Sequence, residues 1–187
     1  MFLIHFLGDI HQPLHTELAY QGGNKLMVDF DGHRERLHAT WDSSILLKYR
    51  GLPDDLHKNE PKEKRAAAKW ADELYDSEPD KDLQDCKREP ECDDISNAQT
   101  CALRWASEAN CRICTHVLTP TISWLQNNDL GGDYYKDAAP IVVDLMKKAG
   151  LRLGAWINAL GAIQPAEEYL VIQDVGKSGE SLQDLEL

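Results

Sequence analysis

The sequence predicts a mainly α-helical domain with one small β-hairpin. Apolar residues recur every three or four positions along most of the chain, as in helices packed against a core. A short apolar run, Leu26-Met-Val-Asp-Phe30, leads into a single Asp-Gly dipeptide, which is typical of a hairpin turn. The 187 residues, 42% hydrophobic and 28% charged, suit one globular domain. No apolar run approaches the roughly 18 residues that span a bilayer, so we predict no membrane span.

The first helix is predicted over residues 2 to about 12, because apolar residues recur at helical spacing until Pro13 interrupts the pattern. The hairpin is predicted over residues 26–37. Its turn is placed at Asp31-Gly32, the dipeptide that most readily adopts the positive φ angles of a two-residue loop.

The same helical periodicity predicts four further helices, over residues 37–49, 62–75, 97–118 and 134–163. The third of these is expected to point Leu103, Ala106, Cys114 and Val117 inward, and the last to bend near Pro140. The proline-containing polar stretch 76–94 predicts a surface loop. Residues 164–187 hold six acids and one lysine, which predicts a mobile acidic tail after a folded region of residues 1–163.

The charge and cysteine content narrow the class of protein. A net charge of -12 excludes nucleic-acid binding through a general basic surface.

Five cysteines cluster in the middle of the chain, at positions Cys86, Cys92, Cys101, Cys111 and Cys114. The cluster favours a disulfide region in which the odd count leaves one cysteine unpaired. A Cys86–Cys92 bridge would close a short loop, whereas Cys101 and Cys111 would lie about 15 Å apart on one helix.

Two features leave alternatives open. Cys111-Arg-Ile-Cys114 is a CxxC sequence, so a zinc ribbon rivals the disulfide interpretation, although a single CxxC within a predicted helix is weak support. The apolar start, Met1 to Asp9, has neither a basic leader nor a small-residue cleavage site and is not a convincing signal peptide. The sequence therefore predicts either a cytosolic protein or a chain that begins partway through a longer one.

Histidine and aspartate residues near the N-terminus predict a metal centre. His5 and Asp9 are four residues apart on one predicted helix, and His38 and Asp42 repeat this spacing on another. His15 follows the first helix and could point between the two. A lone histidine on an apolar helix is more often a hydrogen-bonded core residue than a ligand, but the joint pattern favours a multi-zinc site. His15, His38 and Asp42 would form a three-ligand set that leaves a fourth position for water.

These residues also carry a resemblance to a known family. The matching stretches are His5-Phe-Leu-Gly-Asp-Ile-His-Gln-Pro-Leu-His15, Gly22-Gly-Asn24, Val28-Asp-Phe-Asp-Gly32, Leu37-His-Ala-Thr-Trp-Asp42, Trp105-Ala-Ser-Glu-Ala-Asn110 and Ala149-Gly-Leu-Arg-Leu-Gly-Ala-Trp156. On them, the sequence resembles the class I nucleases, the zinc-dependent, single-strand-preferring nucleases secreted by fungi and plants. That family shares its helical fold with bacterial zinc phospholipase C. The resemblance covers roughly residues 2 to 163.

The resemblance implies a three-zinc site. His15, His38 and Asp42 are similar to the complete protein ligand set of one zinc, and His5 to one ligand of a second. Asp9 is similar to the carboxylate that bridges the second and third zinc ions, which gives it a catalytic role. The family's other ligands lie upstream, so the resemblance implies a C-terminal portion that lacks the N-terminal part of the fold. One zinc site would be complete and two partial. Cys114 is similar to a family cysteine whose disulfide partner also lies upstream.

The implied function is hydrolysis of phosphodiester bonds in single-stranded DNA and RNA, with 5′-phosphorylated products. The substrate would be the only partner, no protein partner is predicted, and the resemblance implies a secreted or vacuolar protein. The alternatives are a zinc phospholipase C of the same fold and a non-catalytic fragment that binds one zinc.

Zinc ions would add local positive charge, so the acidic net charge of the chain no longer excludes a nucleic-acid substrate. Arg36 and Ser43-Ser44 depart from the family pattern and leave base preference open.

For His11, the tryptophans and the basic residues around the hairpin, a structural role is weighed against a functional one. His11 is predicted to orient a metal ligand or, almost as readily, to be a surface histidine. The five tryptophans are predicted to pack in the core rather than stack on bases: Trp41, Trp70, Trp105, Trp124 and Trp156. The basic residues around the hairpin are interpreted as a solvated edge in preference to a phosphate-binding patch: Lys25, Arg34, Arg36, Lys48 and Arg50.

Overall fold

The structure is a computed structural model that describes residues 2–53, 55–76 and 90–163. Its helices and strands are α1 (Phe2–Asp9), β1 (Met27–Phe30), β2 (His33–Arg36), α2 (Leu37–Ala39), α3 (Ile45–Arg50), α4 (Glu60–Asp76), α5 (Ala98–Arg112), α6 (Ile122–Asn127) and α7 (Asp133–Ile163). The predicted mainly α-helical fold with one hairpin is confirmed. The predicted acidic tail and most of the predicted loop 76–94 lie outside the described residues. Within the described part of the chain, no helix has both the length and the apolar character needed to cross a bilayer.

The hairpin has the predicted turn and is fastened to a distant part of the chain. Its strands are antiparallel. Asp31 and Gly32 have φ angles of 49° and 77°, the left-handed pair that a tight hairpin turn requires. The carboxylate of Asp129 accepts hydrogen bonds from the backbone N–H groups of both turn residues, at 2.9 and 2.7 Å. The hairpin is therefore anchored to the segment that leads into α7.

The larger core lies between the hairpin, α2, α3, α6 and the first half of α7. Trp41 is only 2% exposed and donates its indole N–H to the Tyr134 hydroxyl at 2.9 Å. That hydroxyl in turn donates to the Val117 carbonyl at 3.1 Å. Burial raises the pKa of Tyr134 well above its ordinary value, so the phenol remains a hydrogen-bond donor. Trp41 thus fills the core without leaving its indole nitrogen unpaired.

A smaller core under α1 contains the disulfide. Its buried members are Leu7, Cys92, Cys101, Trp105 and Trp156. Cys92 is bonded to Cys101, so the Cys86–Cys92 pairing suggested by the sequence is wrong. Two short 3₁₀ turns, Pro90–Cys92 and Ile95–Asn97, fold the chain back so that Cys92 meets the first turn of α5. Cys86 lies outside the described residues, and among the described cysteines Cys111 and Cys114 are free and exposed.

Two predicted helices are interrupted by π-helical turns. The helix predicted over residues 37–49 contains a π turn at Thr40–Ser44, and the helix predicted over 97–118 ends in another at Ile113–Val117. A π turn adds a residue to the helical repeat and therefore shifts the face that later side chains occupy. The inward residues of α5 are Cys101, Trp105 and Ala109, and Ile113 continues that face. Leu103, predicted to be inward, is 64% exposed, and Cys114 is exposed too, whereas Val117 is buried as predicted.

α1 exposes three large apolar side chains to solvent. Phe2, Ile4 and Phe6 are 74%, 56% and 59% exposed, and the two phenylalanine rings stack with centroids 5.9 Å apart. Leu7, between these exposed positions on the helix, is buried in the smaller core. α1 is therefore only partly covered within the described residues.

Candidate metal centre

The chain leaves α1 through a tightly bonded turn that carries His15. Backbone N–H groups of His11 and Gln12 bond to the carbonyls of Gly8 and Asp9 at 3.1 and 3.0 Å. Gln12 then caps a 3₁₀ turn, Pro13–Thr16, by accepting the N–H of Leu14 with its side-chain oxygen. Proline suits the start of this turn because it has no N–H to leave unpaired. This local geometry brings His15 back beside the end of α1.

A left-handed turn holds His38. Tyr20, Gln21, Gly22 and Gly23 have φ angles of 53°, 53°, 59° and 77°. The carbonyl of Gly22 accepts a hydrogen bond from Nδ1 of His38 at 2.6 Å. A carbonyl can only accept, so Nδ1 carries the proton and Nε2 has a free lone pair for a metal. A Cβ atom at Gly22 would lie 2.5 Å from the Leu14 carbonyl oxygen, so only glycine fits.

His15, His38 and Asp42 converge on one small volume. Nε2 of His15 lies 3.1 Å from Oδ1 of Asp42, and Nε2 of His38 lies 3.2 Å from Oδ2. The two imidazole rings are nearly parallel, with centroids 4.8 Å apart. One ligand atom from each residue lies within 4.8 Å of the others. Tetrahedral metal bonds of about 2.0–2.2 Å place ligand atoms about 3.3–3.6 Å apart, so this group could hold a metal ion.

The π turn and Gln12 place the carboxylate of this group. Asp42 follows Trp41 directly, and the π turn points Trp41 into the core while Asp42 faces the histidines. The side-chain amide of Gln12 donates to Oδ1 of Asp42 at 2.7 Å and fixes the carboxylate's rotation. Sequence reasoning missed this role of Gln12, because glutamine is not a residue typical of an N-cap and Asp42 lies 30 residues further along the chain.

His5 and Asp9 extend the group to one side. Oδ2 of Asp9 lies 3.3 Å from Nε2 of His5, and Oδ1 lies 3.6 Å from Nδ1 of His15. Asp9 thus faces a different histidine with each oxygen, as a bridging carboxylate would. Asp9, His15 and His38 line a pocket of about 190 Å³. The structure therefore brings all five predicted site residues together, but within the described residues only His15, His38 and Asp42 form a group of three ligands.

His11 is buried, which excludes one of its two predicted interpretations. It is 3% exposed, so the surface interpretation is wrong. Its Nδ1 donates to the Leu7 carbonyl at 2.7 Å, and its Nε2 accepts a hydrogen bond from Nη1 of Arg152 at 2.9 Å. Burial is the largest cause that lowers the His11 pKa to about 4, so the ring is neutral near pH 7. Both ring nitrogens are thus committed to groups other than the predicted ligands.

Replacing Gly22 with alanine should weaken metal binding by at least about tenfold, because displacing the Gly22 carbonyl removes the hydrogen bond that orients His38. Gly51→Ala is the matched control: Gly51 has the same φ of 59°, but a Cβ atom there meets nothing within 4 Å. Both variants should lose stability from the strained φ, about 1 kcal/mol. Zn²⁺ titration against a chromogenic chelator measures the affinity. Equal affinity losses in the two variants would contradict the role assigned to Gly22.

Several known proteins have sequences similar to that of this chain. The sequence model of the S1/P1 nuclease family matches residues 1–162. Nuclease S1 of Aspergillus oryzae is 32% identical over 167 residues, which are 88% of this chain and 54% of that protein. Nuclease P1 of Penicillium citrinum is 36% identical over 163 residues, covering 85% and 56%. Endonuclease 2 of Arabidopsis thaliana is 29% identical over 170 residues, covering 86% and 50%.

This chain spans about half the length of the relatives that it matches. Within that half, the family match covers α1, the hairpin and the helices that carry and support the candidate ligands. The match extends over nearly all of the chain, and the chain therefore belongs to the S1/P1 nuclease family.

Proposed function

We propose that the intact protein is a zinc-dependent endonuclease that hydrolyses phosphodiester bonds of single-stranded DNA and RNA and leaves 5′ phosphates. One observation carries this proposal: His15, His38 and Asp42 converge as a three-ligand group in a chain of the S1/P1 nuclease family. Two imidazoles and a carboxylate are a donor set typical of catalytic zinc, which keeps one position open. Bound zinc would supply positive charge beside the phosphodiester and a water of lowered pKa.

The chain's own residues would hold and orient this centre. His15 and His38 present Nε2 toward Asp42, whose rotation is set by Gln12. Asp9 connects His5 and His15, so we assign it the bridging, catalytic carboxylate role. Positive charge at the site would draw a phosphate locally despite the net charge of -12.

We further propose that the 187-residue chain alone binds one zinc tightly and hydrolyses nucleic acid poorly. His5 and Asp9 offer a second ion only two residues, and among the described residues no third ligand completes a group with them. The His5 side chain is 69% exposed, on the same helix as the exposed side chains of Phe2 and Phe6. Such an incomplete second site would not clamp both the attacking and the leaving oxygen of a phosphodiester.

The disulfide supports a proposal about the compartment in which the protein acts. Cys92–Cys101 is buried in the smaller core, and disulfides persist mainly in oxidising environments. We therefore propose that the protein acts outside the cytosol, as a secreted or vacuolar nuclease.

The test is to offer single-stranded DNA, single-stranded RNA and phosphatidylcholine vesicles to the longest form that the gene encodes and to the 187-residue chain. We expect the long form to cleave both nucleic acids, to lose activity in EDTA and to regain it with Zn²⁺. His15→Asn should abolish cleavage, whereas His33→Asn, an exposed histidine on β2, should not. Lipid cleavage without nuclease activity would favour the phospholipase C alternative. Rapid cleavage by the 187-residue chain would contradict the one-zinc proposal.

A further inference from the structure

A run of buried and partly buried polar groups ends at His11, on the segment that carries candidate ligands. It connects α7 to α5 and then to the turn that follows α1, through Asp144, Lys148, Glu108, Arg152 and His11. The Lys148 ammonium lies 2.9 Å from Asp144 and 2.5 Å from Glu108. The Arg152 guanidinium donates to Glu108 at 2.7 Å and to Nε2 of His11 at 2.9 Å. We call these five residues the buried relay.

The charges of the buried relay balance. Its Asp144–Lys148 end is deeply buried, whereas the side chains of Glu108 and Arg152 are 25% and 15% exposed. Asp144 and Lys148 are 2% and 4% exposed. Burial alone would raise the pKa of Glu108, but hydrogen bonds from Lys148 and Arg152 lower it, so the carboxylate is ionised. Two cations therefore face two anions. Buried ion pairs rarely stabilise a fold more than apolar residues of similar size would, so overall stability alone is a weak reason for this arrangement.

The buried relay ends on the segment that carries the candidate ligands. His11 lies between Asp9 and His15 in the sequence, and both of its ring nitrogens are fixed by hydrogen bonds. Arg152 itself is held over the Trp105 ring, 4.9 Å from the centroid. Its guanidinium is thus fixed on one side by an aromatic face and on the other by Glu108.

A second contact, this one from α5, holds the other end of the segment that carries His11 and His15. The Asn110 side chain donates to the Thr16 carbonyl at 2.8 Å, one residue after His15. Residues 11–16 are therefore held at one end by α7 and at the other by α5. Between these two contacts, Gln12 donates a hydrogen bond to Asp42. These contacts come from the stretches Trp105–Asn110 and Ala149–Trp156, which resemble the nuclease family but contain no candidate ligand. Supporting the ligand-bearing segment gives both stretches a role at the site.

We propose that Arg152 and Glu108 are positioning residues for the metal centre, an inference that rests on the metal-binding function proposed above. Through His11 they fix where the chain between Asp9 and His15 lies, so that the ligands are placed before a metal arrives. Neither residue contacts the candidate ligands directly. Their effect should therefore appear in metal affinity and coordination geometry in addition to stability.

The test compares Arg152→Met with Lys48→Met in the 187-residue chain. Each replaces a partly buried cation that contacts a carboxylate and aromatic rings: Lys48 bonds Asp31 and lies over the Phe30 and Tyr135 rings, on the hairpin side. Urea unfolding of the metal-free proteins gives the stability of each variant. Competition with a chromogenic chelator gives the Zn²⁺ dissociation constant, and the visible spectrum of the Co²⁺-loaded protein reports the coordination geometry.

We expect Arg152→Met to raise the Zn²⁺ dissociation constant about 10–100-fold and to alter the Co²⁺ spectrum. Lys48→Met should change the dissociation constant less than about twofold, even if it destabilises the chain as much. Equal effects of the two variants, or an unchanged Zn²⁺ affinity in Arg152→Met, would overturn the positioning role.

Glu108→Gln is the second variant if Arg152→Met does not fold, because it keeps the size of the side chain and both basic partners. It should weaken Zn²⁺ binding in the same direction, and an unchanged affinity would count against the proposal. If the unsubstituted chain binds no Zn²⁺, the metal site itself fails and the positioning role fails with it. If the unsubstituted chain binds Zn²⁺ and the variants bind it equally well, only the positioning role fails.

Discussion

Asp42→Asn should eliminate the tight zinc binding that we propose for the 187-residue chain. Asp42 is the residue that both His15 and His38 face, at 3.1 and 3.2 Å, so a neutral amide there removes the negative ligand and leaves two imidazoles. Loss of a group that only orients a ligand weakens metal affinity by about 10–100-fold, so loss of a ligand should weaken it by more than about 100-fold. Metal analysis after dialysis should find one zinc per unsubstituted chain and none in the variant.

Asp29→Asn provides the control for charge alone. Asp29 is a hairpin carboxylate paired with Arg34 at 3.3 Å, and it belongs to no candidate ligand group. Its substitution removes the same single negative charge from the chain but should leave one zinc bound. Retention of a tight zinc by Asp42→Asn would show that the three-ligand group is not the metal centre.

Trp41→Ala should lower the free energy of unfolding by about 3–5 kcal/mol, the largest loss that we expect from one core substitution. The side chain is 2% exposed and meets the Tyr134 ring edge-on, with centroids 6.4 Å apart. Its removal leaves a cavity between the hairpin, α3 and α7, and also removes the hydrogen bond to the Tyr134 hydroxyl. Urea unfolding followed by far-ultraviolet circular dichroism measures the loss without depending on tryptophan fluorescence.

Two variants separate the parts of this effect. Trp41→Phe keeps most of the ring and loses only the indole N–H, so it should lower the free energy of unfolding less than Trp41→Ala does. Trp124→Ala changes a tryptophan that is 41% exposed and should cost clearly less than Trp41→Ala. The assigned role of Trp41 would be wrong if its alanine variant were as stable as the Trp124 variant.

The sequence was informative about this site because the candidate ligands lie close together in the chain. His5 with Asp9, and His38 with Asp42, are four residues apart, so helical geometry alone places each pair on one face. The hairpin turn was predictable for a similar reason, since Asp31-Gly32 favours the φ angles that it adopts. Local spacing was sufficient to predict the His/Asp pairs, and local backbone preference was sufficient to predict the hairpin turn.

Features that depend on tertiary packing were not predictable in this way. The π turn at Thr40–Ser44 has no distinct apolar period, so a continuous helix was expected there. Tyr20 adopts a φ of 53°, a conformation that a non-glycine residue rarely takes and that its residue type does not predict. Arg152 and Glu108 lie 44 residues apart and look like ordinary polar positions until α5 and α7 are packed together.

The hydrogen bond between Arg152 and His11 has a consequence for how the protein folds. It joins residues that are 141 apart in the sequence. Contacts of such long range form after local ones, because closing a long loop must precede any gain from the contact. The candidate ligands lie within the first 42 residues, yet the contacts proposed to support them are complete only when α7 has docked. Zinc should therefore bind the native chain rather than nucleate its folding. Its stabilisation should then follow mass action, about 2.7 kcal/mol when free zinc is 100-fold above its dissociation constant.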